Sequence, residues 1–375
     1  MLNRRTLRIK VMQSLFAYDQ CCEADFELAK DALIQRFSPD LNSMEVQDKQ
    51  LLKSQQQGAL KLIEARYHQK PEPETEPLIE KEVEKAFLGF KKNTETDFKF
   101  LKKNTVSEIE QLSDLYFAVL NLLPAFATVA AADKKVNHAI FVNNPVLKSI
   151  AQNQELIQAA RKPIAGWETR MDQVRVWFRD IVKADAVYQN HLSAASDTKE
   201  SQLSILKHLI RRVILGDTPI SAYFEEGHIR WIEDREIVKG LAEKSLKTAR
   251  EGNEFQLQKL SLDWEEDKEF IENLFETAAH LPSRFHELIA KNTVNWEVDR
   301  LPLTDRIILQ MAIAEFTTLP NIPVKVTINE YIELAKNYST PKSRQFINGI
   351  LDVIAKELKK SGDLKKSGRG LIDNK

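Results

Sequence analysis

Basic side chains cluster at the beginning of the chain. Arg4, Arg5, Arg8 and Lys10 lie within seven residues, and the first acidic residue is Asp19. Residues three or four positions apart are neighbours on a helix, so the three arginines would form one ridge. Such a ridge at the positive end of a helix suits contacts with phosphate groups. A solvated helix face or a targeting segment would show the same pattern, and charge alone does not decide between these interpretations.

A second pair of cations, Lys342 and Arg344, is predicted to lie in the first turn of the last helix. Cations are unfavourable there because the helix dipole already places positive charge at that end. Together with Ser343 and the free amide groups of the helix N-terminus, they would bind an anion. The alternative is a surface pair that the fold merely tolerates.

Catalytic signatures are mostly missing. The chain has neither a G-x-x-x-x-G-K-[ST] nor a G-x-G-x-x-G phosphate-binding loop. His286 lacks the second histidine of a zinc-binding helix, and the adjacent Cys21 and Cys22 have no base close in sequence. Acidic clusters at 233–236 and 265–267 are typical of solvated helix ends. We therefore predict no enzyme activity, no metal site and no cofactor.

Composition favours a helical protein of the reducing cytoplasm. The 375 residues include only 11 glycines, too few for glycine-rich nucleotide folds or propellers. Two adjacent cysteines do not make a disulfide framework. The 54 basic and 55 acidic residues nearly cancel, which by itself argues against binding nucleic acid. The charge is segregated, however: residues 1–18 carry four basic and no acidic side chains, and residues 341–375 carry nine basic and four acidic ones.

The spacing of apolar residues predicts the helices that would position these groups. Helices are expected over about 4–18, 26–37 and 45–67, followed by an extended, proline-containing linker at 70–77 and further helices over 79–259. The uncharged run 115–132 is predicted to be a buried core helix broken near Pro124, not a membrane span. Near the C-terminus, apolar helices are expected at 267–291 and 303–316. A capping box at Thr327–Glu330 and a cap at Ser339–Pro341 are expected to open the last two.

Two separated groups of sequence strings resemble the NusB family of transcription antitermination factors. The C-terminal group comprises DRIILQMAIAE at 305–315, IPVKVTINEYIELAK at 322–336 and FINGILD at 346–352. The N-terminal group comprises RRTLR at 4–8 and QSLF at 13–16. The resemblance covers about residues 3–20 and 265–358, and the interruption between them is similar to long forms from Bacteroidetes-type bacteria.

The resemblance implies an all-α fold, a NusB-like double three-helix bundle with a large, mostly helical insertion. It divides the chain into first helices (1–45), an acidic helical insertion of unknown role (46–254), a C-terminal core (255–360) and a disordered basic tail (361–375). It implies no catalysis. The implied function is binding of boxA RNA in ribosomal RNA leader transcripts, jointly with NusE, a ribosomal protein, on RNA polymerase with NusA and NusG. It leaves a homodimer open.

The same resemblance implies roles for individual residues. Phe16 stands where relatives often have a tyrosine, and Lys342 stands where some have an acid, which would tighten RNA binding and make it less selective. Thr6 replaces a third consecutive arginine. Asp305 and Glu315 would face NusE. The residues expected to bind RNA are Arg4, Arg5, Arg8, Lys10, Gln13, Phe16, Lys342, Ser343, Arg344 and Phe346.

Alternatives remain at this point. The chain could be a protein-binding scaffold in transcription or ribosome assembly, with its insertion docking NusE or polymerase and with incidental RNA contact. NusB-like domains also occur fused to ribosomal RNA cytosine methyltransferases, but the scarcity of glycine disfavours an enzyme here. Asn348–Gly349 is either an RNA-side element or, as we favour, a small-residue contact between crossing helices.

Overall fold

A computed structural model describes residues 2–40, 42, 44, 46–193, 198–250, 255–293 and 301–374. These residues form helices and connecting segments, with no strand among them, which confirms the all-α prediction. The α-helices, in chain order, are α1 (Arg4–Arg36), α2 (Lys49–Tyr67), α3 (Pro77–Ala132), α4 (Ala139–Val142), α5 (Pro145–Gln152), α6 (Gln154–Ala159), α7 (Met171–Trp177), α8 (Ala186–Leu192), α9 (Lys199–His208), α10 (Pro219–Gly227), α11 (Trp231–Arg250), α12 (Trp264–Ala279), α13 (Ser283–Asn292), α14 (Leu303–Thr318), α15 (Val324–Tyr338) and α16 (Ser343–Ser361).

The chain divides into two compact units. The insertion unit consists of Met1–Arg4 and Ser107–Asp267, and the terminal unit consists of Arg5–Val106 and Lys268–Lys375. This division differs from the predicted domain boundaries, because residues 46–106, which the sequence assigned to the insertion, lie in the terminal unit.

In the terminal unit, α1 is one helix of 33 residues where two helices were predicted. The connecting segment 19–25 contains neither glycine nor proline, so nothing in it breaks the helix. Phe26, Ala29 and Leu33 on its second half form a buried core with Leu62 of α2 and Val83 of α3. The residues 71–76 of the predicted linker lie outside any helix and are mostly exposed. Proline at the first position of α3 is compatible with a helix start, since that position needs no amide hydrogen.

Helix α3 contains the uncharged run. Among the described residues it is the one helix long and apolar enough to cross a membrane by composition, with a mean hydropathy of 1.8 in an 18-residue window that is 56% buried. A buried core helix passes the same test, and Leu115, Leu122 and Phe126 are buried. The predicted break at Pro124 is wrong, because the helix continues through it.

The insertion unit has its own core, with Trp167, Trp177, Tyr188 and Trp231 buried. Two of its helices, α7 and α9, continue into π-helical turns at Phe178–Val182 and Leu209–Ile214. Such turns widen the helix and are uncommon in ordinary α-helices.

At the C-terminal end of the terminal unit, α14 is buried along most of its length and packs against α13, α15 and α16. Its buried side chains include Ile308, Leu309, Ala312 and Ile313. A helix that is apolar on all sides is the central element of its bundle. The side chains that α14 extends toward its neighbours therefore determine how the surrounding helices pack.

Both predicted helix starts are wrong. Helix α15 begins at Val324, after Pro323, so Thr327 lies inside the helix and its hydroxyl donates to Glu315 instead of capping. Helix α16 begins at Ser343, with Lys342 as the residue before it and no side-chain cap. Thr327 binds a partner on another helix, which the local pattern does not reveal, whereas Ser339 and Thr340 contact the hydroxyl of Ser343 at the start of α16.

The basic tail is ordered over the described residues, contrary to the prediction. Helix α16 ends at Ser361 and is followed by Gly362, whose φ of +80° favours glycine. Lys366 Nζ donates to the Leu319 carbonyl at 3.0 Å and Ser367 N donates to the Pro320 carbonyl at 3.1 Å. Gly370 lies against the Pro320 carbonyl so closely that a Cβ would collide with it. The tail thus docks on the turn between α14 and α15.

Candidate nucleic-acid interface

Arg4 belongs to the insertion unit. Its Nη2 lies 2.6 Å from Glu266 Oε1 and its Nε lies 3.5 Å from Asp267 Oδ1. The side chain of Glu266 is mostly exposed, so the closer of these pairs is open to water. Exposed ion pairs exchange easily with other anions because water screens both charges. Arg4 is therefore accessible to a phosphate.

Arg5 lies in the terminal unit and forms a two-point pair with α15. Its Nε and Nη2 donate to the two carboxylate oxygens of Glu330 at 2.8 and 2.9 Å. The Arg5 side chain is 43% exposed. The hydrogen bond from Arg5 lowers the pKa of Glu330 below its usual range. Arg5 thus combines a structural partner with a surface that an RNA phosphate could reach.

Arg8 is buried, and the structure gives it a structural partner. Its side chain is 2% exposed, and its Nε and Nη2 donate to Glu315 at 2.7 and 2.8 Å. Glu315 is 0% exposed and also accepts hydrogen bonds from Thr327 at 2.8 Å and Tyr331 at 3.1 Å. Each carboxylate oxygen therefore has two donors. This arrangement leaves Arg8 no surface for RNA, so the expected three-arginine ridge is reduced to Arg4 and Arg5.

The next predicted residues on α1 differ in exposure. Lys10 is buried and therefore presents no surface to RNA, and Gln13 is half-buried with its Oε1 atom buried. Phe16, in contrast, is 42% exposed. An exposed aromatic ring is a platform on which a nucleobase can stack.

Helix α16 presents the second group of cations. Lys342 and Arg344 are exposed at its N-terminus, Phe346 is half-buried, and the first turn contains no acidic residue. Ser343 points inward and donates to Asp305 Oδ2 at 2.6 Å. Ser339 and Thr340 lie 3.0 and 2.8 Å from the same hydroxyl, which holds the turn before the helix. Ser343 thus positions the two cations without facing solvent.

Contacts made by α14 place Phe16 and the α16 N-terminus at the same end of this bundle. Arg306 Nη2 donates to Asp19 on α1 at 2.8 Å, and Phe16 lies one helical turn before Asp19. The neighbouring Asp305 accepts from Ser343 on α16. We name Phe16, Lys342 and Arg344 the α16 surface. Glu315, which binds Arg8, lies ten residues further along α14, about 15 Å at helical rise.

The two residues expected to face NusE are both buried. Asp305 is 2% exposed and Glu315 is 0% exposed, and each holds a neighbouring helix through hydrogen bonds. Neither side chain therefore offers a surface to a protein partner. The favoured interpretation of Asn348–Gly349 is also wrong, because both residues are exposed and a Cβ at Gly349 would meet nothing within 4 Å.

Sequence reasoning missed Arg306, Thr327 and Tyr331 as residues that organise this region. A weak signal existed for Glu315, since an acidic residue within an otherwise apolar helix must be paired when buried. Nothing local indicated that its partner would be an arginine more than three hundred positions away.

Residues 231–356, which contain α14, α15 and the basic start of α16, match the NusB family. The match to the NusB family is confined to this C-terminal part. Three relatives are each called transcription antitermination protein NusB. The protein of Chloroherpeton thalassium is 45% identical over 106 residues, which are 28% of this chain and 50% of the relative. The protein of Salinibacter ruber is 42% identical over 105 residues, which are 28% of this chain and 66% of the relative. The protein of Koribacter versatilis is 43% identical over 94 residues, which are 25% of this chain and 64% of the relative.

The chain thus spans less than two thirds of the length of each of these relatives. No solved structure matches it. The matched residues include Glu315, Lys342, Ser343 and Arg344, whereas Arg5, Arg8 and Phe16 lie before them. The two sides of the candidate interface therefore have different support. The α16 side lies within the residues that match the family, whereas the α1 side has only its geometry and the sequence strings.

Proposed function

We propose that this chain is a cytoplasmic, non-catalytic transcription antitermination factor that binds boxA RNA of ribosomal RNA leader transcripts. In this proposal it acts together with NusE, on RNA polymerase with NusA and NusG. The observation that carries the proposal is the α16 surface: two exposed cations at a helix N-terminus within the residues that match the NusB family, and an exposed aromatic ring at the same end of the bundle.

The α16 surface has the components that bind single-stranded RNA. Lys342 and Arg344 add two full charges to the partial positive charge of the helix end, and the free amide groups there donate to phosphate oxygens. Phe16 offers a face for one base, and stacking of this kind is sequence-tolerant. The first turn of α16 contains no acidic residue, and the nearby Asp305 carboxylate is buried and accepts a hydrogen bond from Ser343.

The remaining predicted residues divide into accessible and positioning groups. Arg4 has an exchangeable partner and Arg5 has exposed surface beside its structural partner Glu330, so we assign both to phosphate contacts. Arg8, Ser343, Asp305 and Glu315 hold α1, α15 and α16 against α14, so we assign them to positioning. Losing a positioning residue would therefore weaken RNA binding only by moving the helices.

Fluorescence anisotropy with boxA RNA, with and without NusE, tests the proposal. The double variant K342E/R344E should bind RNA weakly, and the slope of log affinity against log salt should fall by about 1.4, which corresponds to two contacts on a single strand. Truncation of Phe16 to alanine should cost about 1–3 kcal/mol of binding free energy, the usual value for one stacked base.

The matched control is K356E/K359E. Both lysines are exposed on the same helix, and the double variant changes the net charge by the same amount. If the two double variants weaken binding equally, the contact is general electrostatics and not a site on the α16 surface. Unchanged RNA affinity in K342E/R344E, with NusE still bound, would support the scaffold alternative instead.

A further inference from the structure

A groove runs between the second half of α1 and the first half of α3, within the terminal unit. It encloses about 360 Å³ and lies outside the residues that match the NusB family. Its floor is apolar, with Ala29, Leu33 and Phe90, and the exposed Leu28 stands on its rim. Leu28 is 61% exposed, so it extends the apolar lining of the groove to the protein surface.

The two ends of the groove carry opposite charge. At one end Asp25 accepts a hydrogen bond from Asn93. Burial raises the pKa of Asp25, and the negative charge of the nearby Asp97 raises it further. At the other end Arg36 Nε lies 3.2 Å from Glu82 Oε1, and the exposed Lys85 adds a positive charge. These pairings also show that α1 and α3 run antiparallel along the groove.

Asp25 has an unsatisfied oxygen within the groove. The residue is 8% exposed, and its Oδ2 has no hydrogen-bond partner among the described residues. A buried carboxylate oxygen without a donor costs free energy, because water has been removed and nothing replaces it. A cation that entered the groove at this end would satisfy it.

Small side chains leave room for a neighbouring helix. Ala32 and Gly89 face the groove from opposite helices and are both exposed. A Cβ at Gly89 would meet nothing within 4 Å, so packing within the chain does not require glycine there. Glycine in the interior of a helix lowers the stability of that helix. At Gly89 no contact within the chain compensates for this loss.

We infer that this groove is the contact surface between two copies of the chain. A two-fold axis that crosses the middle of the groove, perpendicular to the helices, would bring the acidic end of each copy against the basic end of the other. Each Lys85 would then reach Asp25 of the second copy, and the small residues would allow the helix pairs to approach closely. A surface that contains both charges in this order is complementary to itself, as a two-fold interface requires.

Sedimentation velocity of the full chain over a wide concentration range tests the inference. We expect a reversible dimer. The variant K85E should weaken it by more than about tenfold, because two like-charged contacts replace two opposite ones. The control K81E reverses an exposed charge on the same helix outside the groove and should leave dimerisation unchanged.

Two further variants separate dimerisation from folding. Gly89→Gln should abolish the dimer while thermal unfolding of the monomer shows no loss, because the position is open and glutamine is the better helix former. Asp25→Asn should raise the stability of the monomer and weaken the dimer. A residue with a merely structural role would not change these two free energies in opposite directions. A chain that stays monomeric at all concentrations, or a dimer indifferent to K85E and Gly89→Gln, would overturn the inference.

Discussion

The buried pair of Arg8 and Glu315 allows a quantitative test of how the fold is held together. Glu315→Gln keeps the shape of the side chain but removes its charge. Arg8, 2% exposed, would then lose the carboxylate that accepts two of its hydrogen bonds. The nearest remaining acid is Glu330, whose Oε2 lies 3.8 Å from Arg8 Nη1.

The expected loss of unfolding free energy is about 3 kcal/mol. Breaking a buried pair by removing one partner costs about 3–5 kcal/mol, because the other charge stays buried without compensation. Glu330 supplies partial compensation, which places the value at the lower end of that range. The control is Arg5→Gln, which removes a two-point pair on the same helix that is 43% exposed. Partly exposed pairs contribute about 0.2–1 kcal/mol.

Urea unfolding followed by far-UV circular dichroism measures both variants. Since the chain contains two units, hydrogen exchange of peptides from α14 and α15 is needed to assign the change to the terminal unit. We expect exchange in Glu315→Gln to accelerate in both helices. If Glu315→Gln costs no more than Arg5→Gln, the pair does not hold these helices together, and Arg8 returns to the candidates for RNA contact.

Three further predictions follow from single residues. The pKa of Glu330 is lowered by Arg5, so this pair stabilises the fold at pH values above the ordinary glutamate pKa of 4.5, and its contribution is lost as the pH falls below that value. The unfolding free energy measured against pH should show this slope. The same slope in Arg5→Gln would contradict the prediction. Gly89→Ala should raise the unfolding free energy by about 0.5–1 kcal/mol, and Gly58→Ala should gain less because its Cβ would lie 3.2 Å from Ile79; equal thermal shifts would count against this. Burial raises the pKa of the Cys22 thiol to about 11, so alkylation should be much slower in the native protein than in denaturant, and equal rates would refute the assignment.

Much of the C-terminal part follows from the sequence. The two prolines at 320 and 323 separate α14 from α15, and the apolar stripe Ile347, Ile350, Leu351 and Ile354 marks the buried face of α16. The cations Lys342 and Arg344 are exposed at a helix N-terminus as expected, although the helix begins later than predicted. These features depend on local periodicity and on proline, which act over a few residues.

The errors concern interactions between distant residues. Arg4, Arg5 and Arg8 look equivalent in the sequence, yet only tertiary structure determines that Arg8 turns inward to Glu315. Thr327 and Glu330 have the spacing of a capping box, but partners on α14 and α1 compete for both side chains. The same limitation explains the wrong prediction for the tail. Its glycines are typical of disordered segments, and the sequence does not reveal that Gly370 packs against Pro320.

The docked tail has a consequence for anyone who prepares this protein. A chain truncated after Ser361, which its basic and glycine-rich end invites, would expose the carbonyl groups of Leu319 and Pro320 that Lys366 and Ser367 now satisfy. The end of α14 would fray, and the bundle that presents Lys342 and Arg344 would loosen with it. A weak RNA signal from such a shortened sample would then reflect the trimming and not the biology. Purification tags and crystallisation trimming are therefore best kept away from residues 363–372.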